Sequence, residues 1–260
     1  MPLSPLHIET PLLRTAADYS ASGLPLWLKL DALQPSGSFK LRGVGLLCQH
    51  EVAKGAKEIF CASGGNAGIA AAVAGKALGV PVTIVVPETT SAEVRARIAA
   101  TGAKVLVHGS VFDEANAHAV ALATERKAAY VHPYDHPLLW EGHATLIDEV
   151  VKAGAEFDCV VTSVGGGGLL PATLALVADL YPPRGEVPTD APVLVCCGGA
   201  GGHRIQLHRG TLPQDVACAI ALDLGAVTLP AQKAHRSGAL AGWLSAQRFA
   251  GQDHLCAVAN

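Results

Sequence analysis

Aromatic residues are scarce, at 5% of the 260, and charged residues make up only 16%. So few rings poorly furnish a sandwich of twisted hairpins, whereas abundant Ala, Val and Gly suit small-residue helices packed on a buried parallel sheet. There is no basic excess: 19 Lys+Arg face 22 Asp+Glu, a net charge of -3, and no positive field is available to hold a nucleic-acid backbone. No CxxC pair occurs among the cysteines at 48, 61, 159, 196, 197, 218 and 256. That odd, irregular set reads as reduced cytosolic thiols rather than a disulfide framework or zinc ribbon. The first thirty residues include Glu9, Arg14 and Asp18 and lack a basic start followed by an apolar run, so no secretory signal is expected. Mean hydropathy is positive, at +0.33. Yet the best apolar stretch, 67–87, contains Lys76, Gly79 and Pro81, and a cytoplasmic protein without a membrane span is expected.

Half of the chain is apolar, enough to bury a sizeable core. From Lys57 the sequence alternates: KEIFCAS reads as a strand, AGIAAAVAGKALG as a helix, PVTIVVP as a strand and SAEVRARIAATG as a helix. KVLVHG, VFDEANAHAVALATERK and AAYVHP continue as strand, helix and strand, joined by short turns with Gly or Pro. A βαβαβαβ series implies a parallel sheet with right-handed crossovers. A second series follows: a helix over 138–153, the strand CVVTSVG, the helix LPATLALVADLY and the strand PVLVCC after a Pro-rich loop. The fold class is therefore α/β with two lobes. No glutamate falls after Glu186, GGAGG occupies 198–202, and residues 233–260 have weak periodicity, so the tail is expected to be atypical.

Three glycine- or serine-rich turns precede helical patterns: Pro35 to Lys40 (PSGSFK), Ser63 to Gly68 (SGGNAG) and Gly165 to Gly168. A loop with few Cβ atoms at a helix start lets several backbone N–H groups converge on an anion, aided by the helix dipole. Each turn alone also fits ordinary loop geometry. None is a P-loop, because Leu169 and Leu170 stand where Lys-Ser/Thr is needed, and none completes G-x-G-x-x-G. Lys40 by position alone also fits a solvated surface charge. His132, His136, His143 and Glu141 invite a metal reading, but Pro133 and Pro137 interrupt the helix that an HExxH site needs. They read instead as turn and domain-boundary histidines, and no metal is expected.

Taken together, PSGSFKLRG, SGGNAG and a GGGG turn after CVVTSV resemble the serine and threonine dehydratases of the tryptophan-synthase-β-like, pyridoxal-phosphate group. DALQPSGSFKLRG, VTIVVPETT, HPYDHPLLWEGHATLIDEV and SVGGGGLL are most similar to its serine dehydratase branch, over most of residues 7–182. The resemblance implies a fold-type II architecture, with residues 41–130 as a small lobe inserted between 1–40 and 131–260 of a larger one. It implies pyridoxal 5'-phosphate as cofactor. Lys40 would bond the cofactor aldehyde and then take the substrate Cα proton as general base. Gly165, Gly166, Gly167 and Gly168 would cradle the phosphate. Ser63, Gly64, Gly65, Asn66 and Ala67 would hold the substrate carboxylate, Asn66 also reaching the ring hydroxyl, with Gly64 leaving room beside the substrate and Phe39 shaping the pocket. The implied reaction is elimination of water and ammonia from L-serine or L-threonine, giving pyruvate or 2-oxobutanoate. The partner would be a small amino-acid substrate, with a homodimer left open.

The sequence also departs from that family. Cys197 stands where a glutamate is found, so the monovalent-cation site of some members is not carried over. The family's late Cys or Ser turn facing the pyridine nitrogen has no match, and Cys256 is the only late candidate. The C-terminal part is expected to be shortened or altered. Two alternatives stay open: a cysteine-synthase-like β-replacement enzyme, and a truncated or non-catalytic relative.

Overall fold

The computed structural model describes residues 4–16, 26–155, 159–164, 168–169, 193–198, 205–208 and 255–259. The chain forms two compact units, Met1–Thr10 with Asp31–Leu146, and Pro11–Leu30 with Ile147–Asn260.

The first unit is built on a four-stranded sheet of β3 (Ile59–Ala62), β4 (Val82–Val86), β5 (Lys104–Val107) and β6 (Ala129–Tyr130), in the order β5-β4-β3-β6. Every pairing is parallel, with Ile59 opposite both Val82 and Ala129, and Val86 opposite Val107. All of β3 and β4 is buried, which is why IFCA and VTIVV read as unbroken apolar runs rather than alternations. The crossovers are α2 (Asn66–Leu78), α3 (Ala92–Ala100) and α4 (Phe112–Arg126). On α4 the buried residues are Ala115, Ala119 and Ala123, a four-residue spacing that lays one narrow stripe against the sheet. Ser91 caps α3 by accepting the Val94 N–H at 3.3 Å. Leu41, Leu47, Ile59, Ile84, Ile98 and Leu139 share the main core and are essentially unexposed, each contributing about 1.5–3 kcal/mol.

Helix α1 (Lys40–Ala53) and the start of α5 (Pro137–Lys152) cross in this unit with their backbones in close approach at two glycines. A Cβ on Gly43 would lie 2.3 Å from the Leu139 carbonyl oxygen, and one on Gly142 would lie 2.5 Å from the Gly43 Cα. The crossing is fixed further by a buried polar knot. Arg42 donates from Nε to Asp31 Oδ2 at 2.6 Å and from Nη2 to Asp31 Oδ1 at 2.8 Å. Its Nη1 donates to Thr145 Oγ1 at 3.0 Å, and the Thr10 hydroxyl donates to Asp31 Oδ1 at 2.6 Å. The N-terminal segment, the 3-10 turn Asp31–Leu33, α1 and α5 thus meet at one guanidinium.

The second unit has a six-stranded sheet of β1 (Leu12–Arg14), β2 (Leu26–Leu30), β7 (Cys159–Val164), β8 (Val193–Gly198), β9 (Ile205–His208) and β10 (Leu255–Ala259). Its order is β1-β2-β10-β7-β8-β9, antiparallel at the two outer pairs and parallel within. The atypical tail therefore supplies an inner strand: Cys256 pairs with Trp27 on one side and Val160 on the other. Lys29 on β2 and Glu149 on α5 form a hydrogen-bonded ion pair that is largely buried. The expected helix after the glycine run, the Pro-rich loop, residues 199–202 of GGAGG and the rest of the tail lie outside the described residues. Among the described residues no helix is long and apolar enough to cross a membrane.

Candidate active site

Lys40 is the first residue of α1. The preceding turn is fixed by Gly37 N–H donating to the Gln34 carbonyl at 2.7 Å, and by Ser36 Oγ donating to the Ser38 carbonyl at 3.2 Å. Phe39 is buried and packs edge-on against His143, with ring centroids 4.8 Å apart. The Lys40 amine lies 5.0 Å from the centre of the Phe39 ring and donates to the Pro133 carbonyl at 3.0 Å. Burial lowers its pKa from 10.5 to about 8, against a smaller upward pull from Cys61. The Cys61 thiol is itself pushed up to about 12 by burial, with Lys40 pulling the other way, so the thiol is neutral at pH 7. At pH 7.5 roughly a quarter of the Lys40 amines are unprotonated, hundreds of times more than for an ordinary lysine. This is the setting a lysine needs to become a nucleophile or base.

Cys61, whose thiol pulls on the Lys40 amine, is the third residue of β3, two before Ser63. There β3 gives way to the turn 63–65 and then to α2. Gly65 N–H donates to Ser63 Oγ at 3.2 Å, and the first helical bond runs from Ile69 N–H to the Gly65 carbonyl at 3.2 Å. The N–H groups of Asn66, Ala67 and Gly68 form the first turn of the helix and point out of its start, as the first N–H groups of any helix do. Gly65 and Asn66 are exposed, Ser63 and Gly64 half-buried and Ala67 buried. The turn can close this tightly only because residue 68 is glycine, whose Cβ would lie 2.2 Å from the Ser63 carbonyl oxygen. The space beside Gly64 is not free: a Cβ there would meet Thr90 Oγ1 at 2.7 Å. Thr90 ends VTIVVPETT just after β4, and the resemblance of that stretch gives no role to this residue.

The histidines divide. His132 Nδ1 accepts the N–H groups of Tyr134 and Asp135 at 3.3 and 2.8 Å, and His136 Nδ1 accepts that of Leu138 at 3.1 Å. Both act in the turn ahead of α5. His143 does not sit in a turn; it is fully buried inside α5, and neither ring nitrogen has a hydrogen-bond partner. Burial, followed by the Lys40 and Arg42 charges, pushes its pKa down to about 3. WEGHATL looks polar at that position because its neighbours Glu141 and Thr145 are, whereas the four-residue spacing from Leu139 puts His143 on the apolar face toward Gly43.

Of the residues expected at the site, Phe39, Lys40, Ser63, Gly64, Gly65, Asn66 and Ala67 all belong to the first unit. The glycine run belongs to the second: Gly165, Gly166 and Gly167 lie outside the described residues, and Gly168 is buried in the turn after β7.

A parallel α/β unit with a half-buried, readily neutralised lysine leading a helix, and a second helix start after β3, defines a lysine-dependent carbonyl-cofactor enzyme scaffold. Residues 3–204 match the family model described as pyridoxal-phosphate dependent enzyme, and the chain belongs to that family. It is 48% identical over 176 residues to a serine dehydratase-like protein of Homo sapiens, covering 66% of this chain and 52% of that one. To an L-serine dehydratase/L-threonine deaminase of Bos taurus it is 39% identical over 238 residues, covering 89% of this chain and 71% of that one. The chain spans about half the length of the first of these relatives. Among solved structures, the processed form of threonine deaminase isoform 2 from Solanum lycopersicum superposes with a TM-score of 0.71 at 23% identity, over 99% of this chain and 81% of that one. That likeness bears on the fold, which is of the fold-type II kind. The residues present fit the cofactor on its aldehyde side: Lys40 offers an amine that sheds its proton near neutral pH, with a carbonyl to park on and an aromatic wall beside it.

Proposed function

We propose that this protein is an ammonia-lyase that converts L-serine or L-threonine to pyruvate or 2-oxobutanoate and ammonia. The observation that carries the reading is the Lys40 amine, half-buried at the start of α1, held by the Pro133 carbonyl and titrating near pH 8. The names of the relatives favour dehydration over other reactions of the family.

Pyridoxal phosphate, when bound, supplies an aldehyde for the amine and an electron-withdrawing ring that accepts the charge left when the Cα proton departs. Lys40 would hold that aldehyde and, once freed, would take the Cα proton as general base. The first-turn N–H groups of α2, at Asn66, Ala67 and Gly68, receive the substrate carboxylate, with the Ser63 hydroxyl beside them. Asn66 would also offer its side-chain amide to the ring hydroxyl. Thr90 closes the space beside Gly64 and so bears on how large a substrate side chain is accepted. Gly165 to Gly168 would offer backbone N–H groups to the phosphate, and Phe39 would keep water from the Lys40 amine. The proton that Lys40 takes from Cα would pass to the departing β-hydroxyl, which would leave as water, and hydrolysis of the released enamine would yield the keto acid and ammonia. A cytoplasmic setting belongs to the same reading, in keeping with the buried free thiols Cys48 and Cys61.

The test is keto-acid release from L-serine and L-threonine by the purified chain supplied with pyridoxal phosphate, compared with Lys40→Ala. Release by the parent chain and none by the variant is expected, and equal rates would overturn the assignment. Cysteine formation that depends on added sulfide, without keto acid, would point to a β-replacement enzyme. A folded chain that takes up no cofactor would point to a non-catalytic relative.

A further inference from the structure

We propose that His132 is a positioning residue: its unprotonated Nδ1 folds residues 133–135 so that the Pro133 carbonyl stands where the Lys40 amine needs it. The inference rests on reading Lys40 as the reactive amine. A carbonyl that holds a lysine has no side chain of its own to specify it, so something must fix the peptide that carries it. Here the peptide lies inside the turn closed by the two N–H groups that His132 accepts, from Tyr134 and Asp135. The imidazole performs the job that an Asn or Asp oxygen performs in an Asx turn, accepting from residues two and three further on. An Nδ1 that accepts twice carries no proton, so the neutral ring keeps its proton on Nε2. The ring is seated edge-on against Tyr134, with centroids 4.6 Å apart, and more loosely against Tyr130 of β6 at 6.1 Å.

The groups facing this ring suit a neutral histidine. Burial holds its pKa below the usual 6.5, the Asp135 carboxylate pulls upward, and the His136 and Lys40 charges push downward. The uncharged rings of Tyr130 and Tyr134 complete its surroundings. Protonating Nδ1 removes the acceptor, so the turn loosens only in acid, below the ordinary histidine range. The sequence is not otherwise short of a fastening: Trp140 Nε1 donates to the Tyr134 carbonyl at 3.2 Å. This second fastening lets a substitution at 132 move the carbonyl without unfolding the loop.

The experiment titrates Lys40 directly in the full chain before cofactor is added, by competitive amine labelling across pH with mass-spectrometric readout. The parent chain should show a midpoint of about 8. His132→Phe keeps the ring and loses the acceptor; with the carbonyl displaced, the charged amine loses more than the neutral one, and the midpoint should fall by about half to one unit. His132→Asn restores an acceptor of the same reach and should return the midpoint to within about 0.2 units of the parent. A folded His132→Phe with the parent's midpoint, or a His132→Asn as shifted as His132→Phe, overturns the proposal. Nitrogen-15 spectra of the parent chain give a second check that needs no substitution to fold: a His132 proton resident on Nδ1 at pH 7.5 also overturns it. Labelling requires neither cofactor nor turnover, so a chain with no lyase activity can pass these tests and an active one can fail them.

Discussion

Replacing Asp31 by Ala leaves the Arg42 guanidinium buried without a counter-charge. Both side chains are completely unexposed and are joined by two hydrogen bonds, of 2.6 and 2.8 Å. Breaking such a pair by removing one partner costs about 3–5 kcal/mol, because the survivor keeps its desolvation penalty. Total stabilities are commonly about 5–15 kcal/mol, so roughly a fifth or more of the folding free energy is at stake. Arg42→Met should cost a similar amount, since Asp31 then keeps only the Thr10 hydroxyl among the partners described above. The double variant Asp31→Leu/Arg42→Met removes both charges, leaves Thr145 its bond to the Gly142 carbonyl, and should return to within about 1–2 kcal/mol of the parent. Urea unfolding followed by circular dichroism supplies the four corners of a double-mutant cycle. The expected coupling is about 4 kcal/mol or more. Additive losses, or single variants that lose less than about 1 kcal/mol, would refute the view that this pair is a mutually dependent buried ion pair.

Stability should also decline in acid through His143. Its folded pKa of about 3 lies below the usual 6.5, so the unfolded chain takes up the proton first. The contribution is complete above pH 6.5 and is lost at up to roughly 1.4 kcal/mol per unit as pH falls toward 3; melting temperatures of the parent and His143→Phe against pH should diverge in that window and run parallel above it. Gly43→Ala and Gly142→Ala each drive a methyl group into backbone of the facing helix and should cost about 1–3 kcal/mol or more, read by thermal melting. The Cys48 and Cys61 thiols, both buried and both pushed up in pKa chiefly by desolvation, should resist iodoacetamide in the folded chain and react after denaturation, as followed by mass spectrometry.

Elements whose residues answer to a single sheet or helix face were legible from sequence. The buried runs of β3 and β4 and the alanine stripe of α4 follow directly from composition and spacing, and the helix expected over 138–153 is α5 at Pro137–Lys152. The lysine was legible only through its company, since nothing in one lysine tells burial from solvation. Five features escaped for physical reasons. The Pro133 acceptor is backbone and has no letter in the sequence. Thr90 reaches Gly64 across a crossover, and the Arg42 knot joins residues from 10 to 145. His143 was misread as a turn residue because a buried, unpartnered imidazole is rare enough that polarity outweighs periodicity. The strand at 255–259 lacked a signal because its tail shows no repeating pattern to frame it.

The bare crossing of Gly43 on Gly142 has a consequence for how such a scaffold can diversify. Where two main chains touch, neither helix can slide or roll to accommodate a new neighbour, and the amine at one end and the turn at the other are machined as a single part. With Lys40 as the reactive amine proposed above, changes in what the protein accepts would arise in the surrounding turns, at places such as residue 90, where a methyl group can be gained or lost while the alignment of that nitrogen is inherited intact.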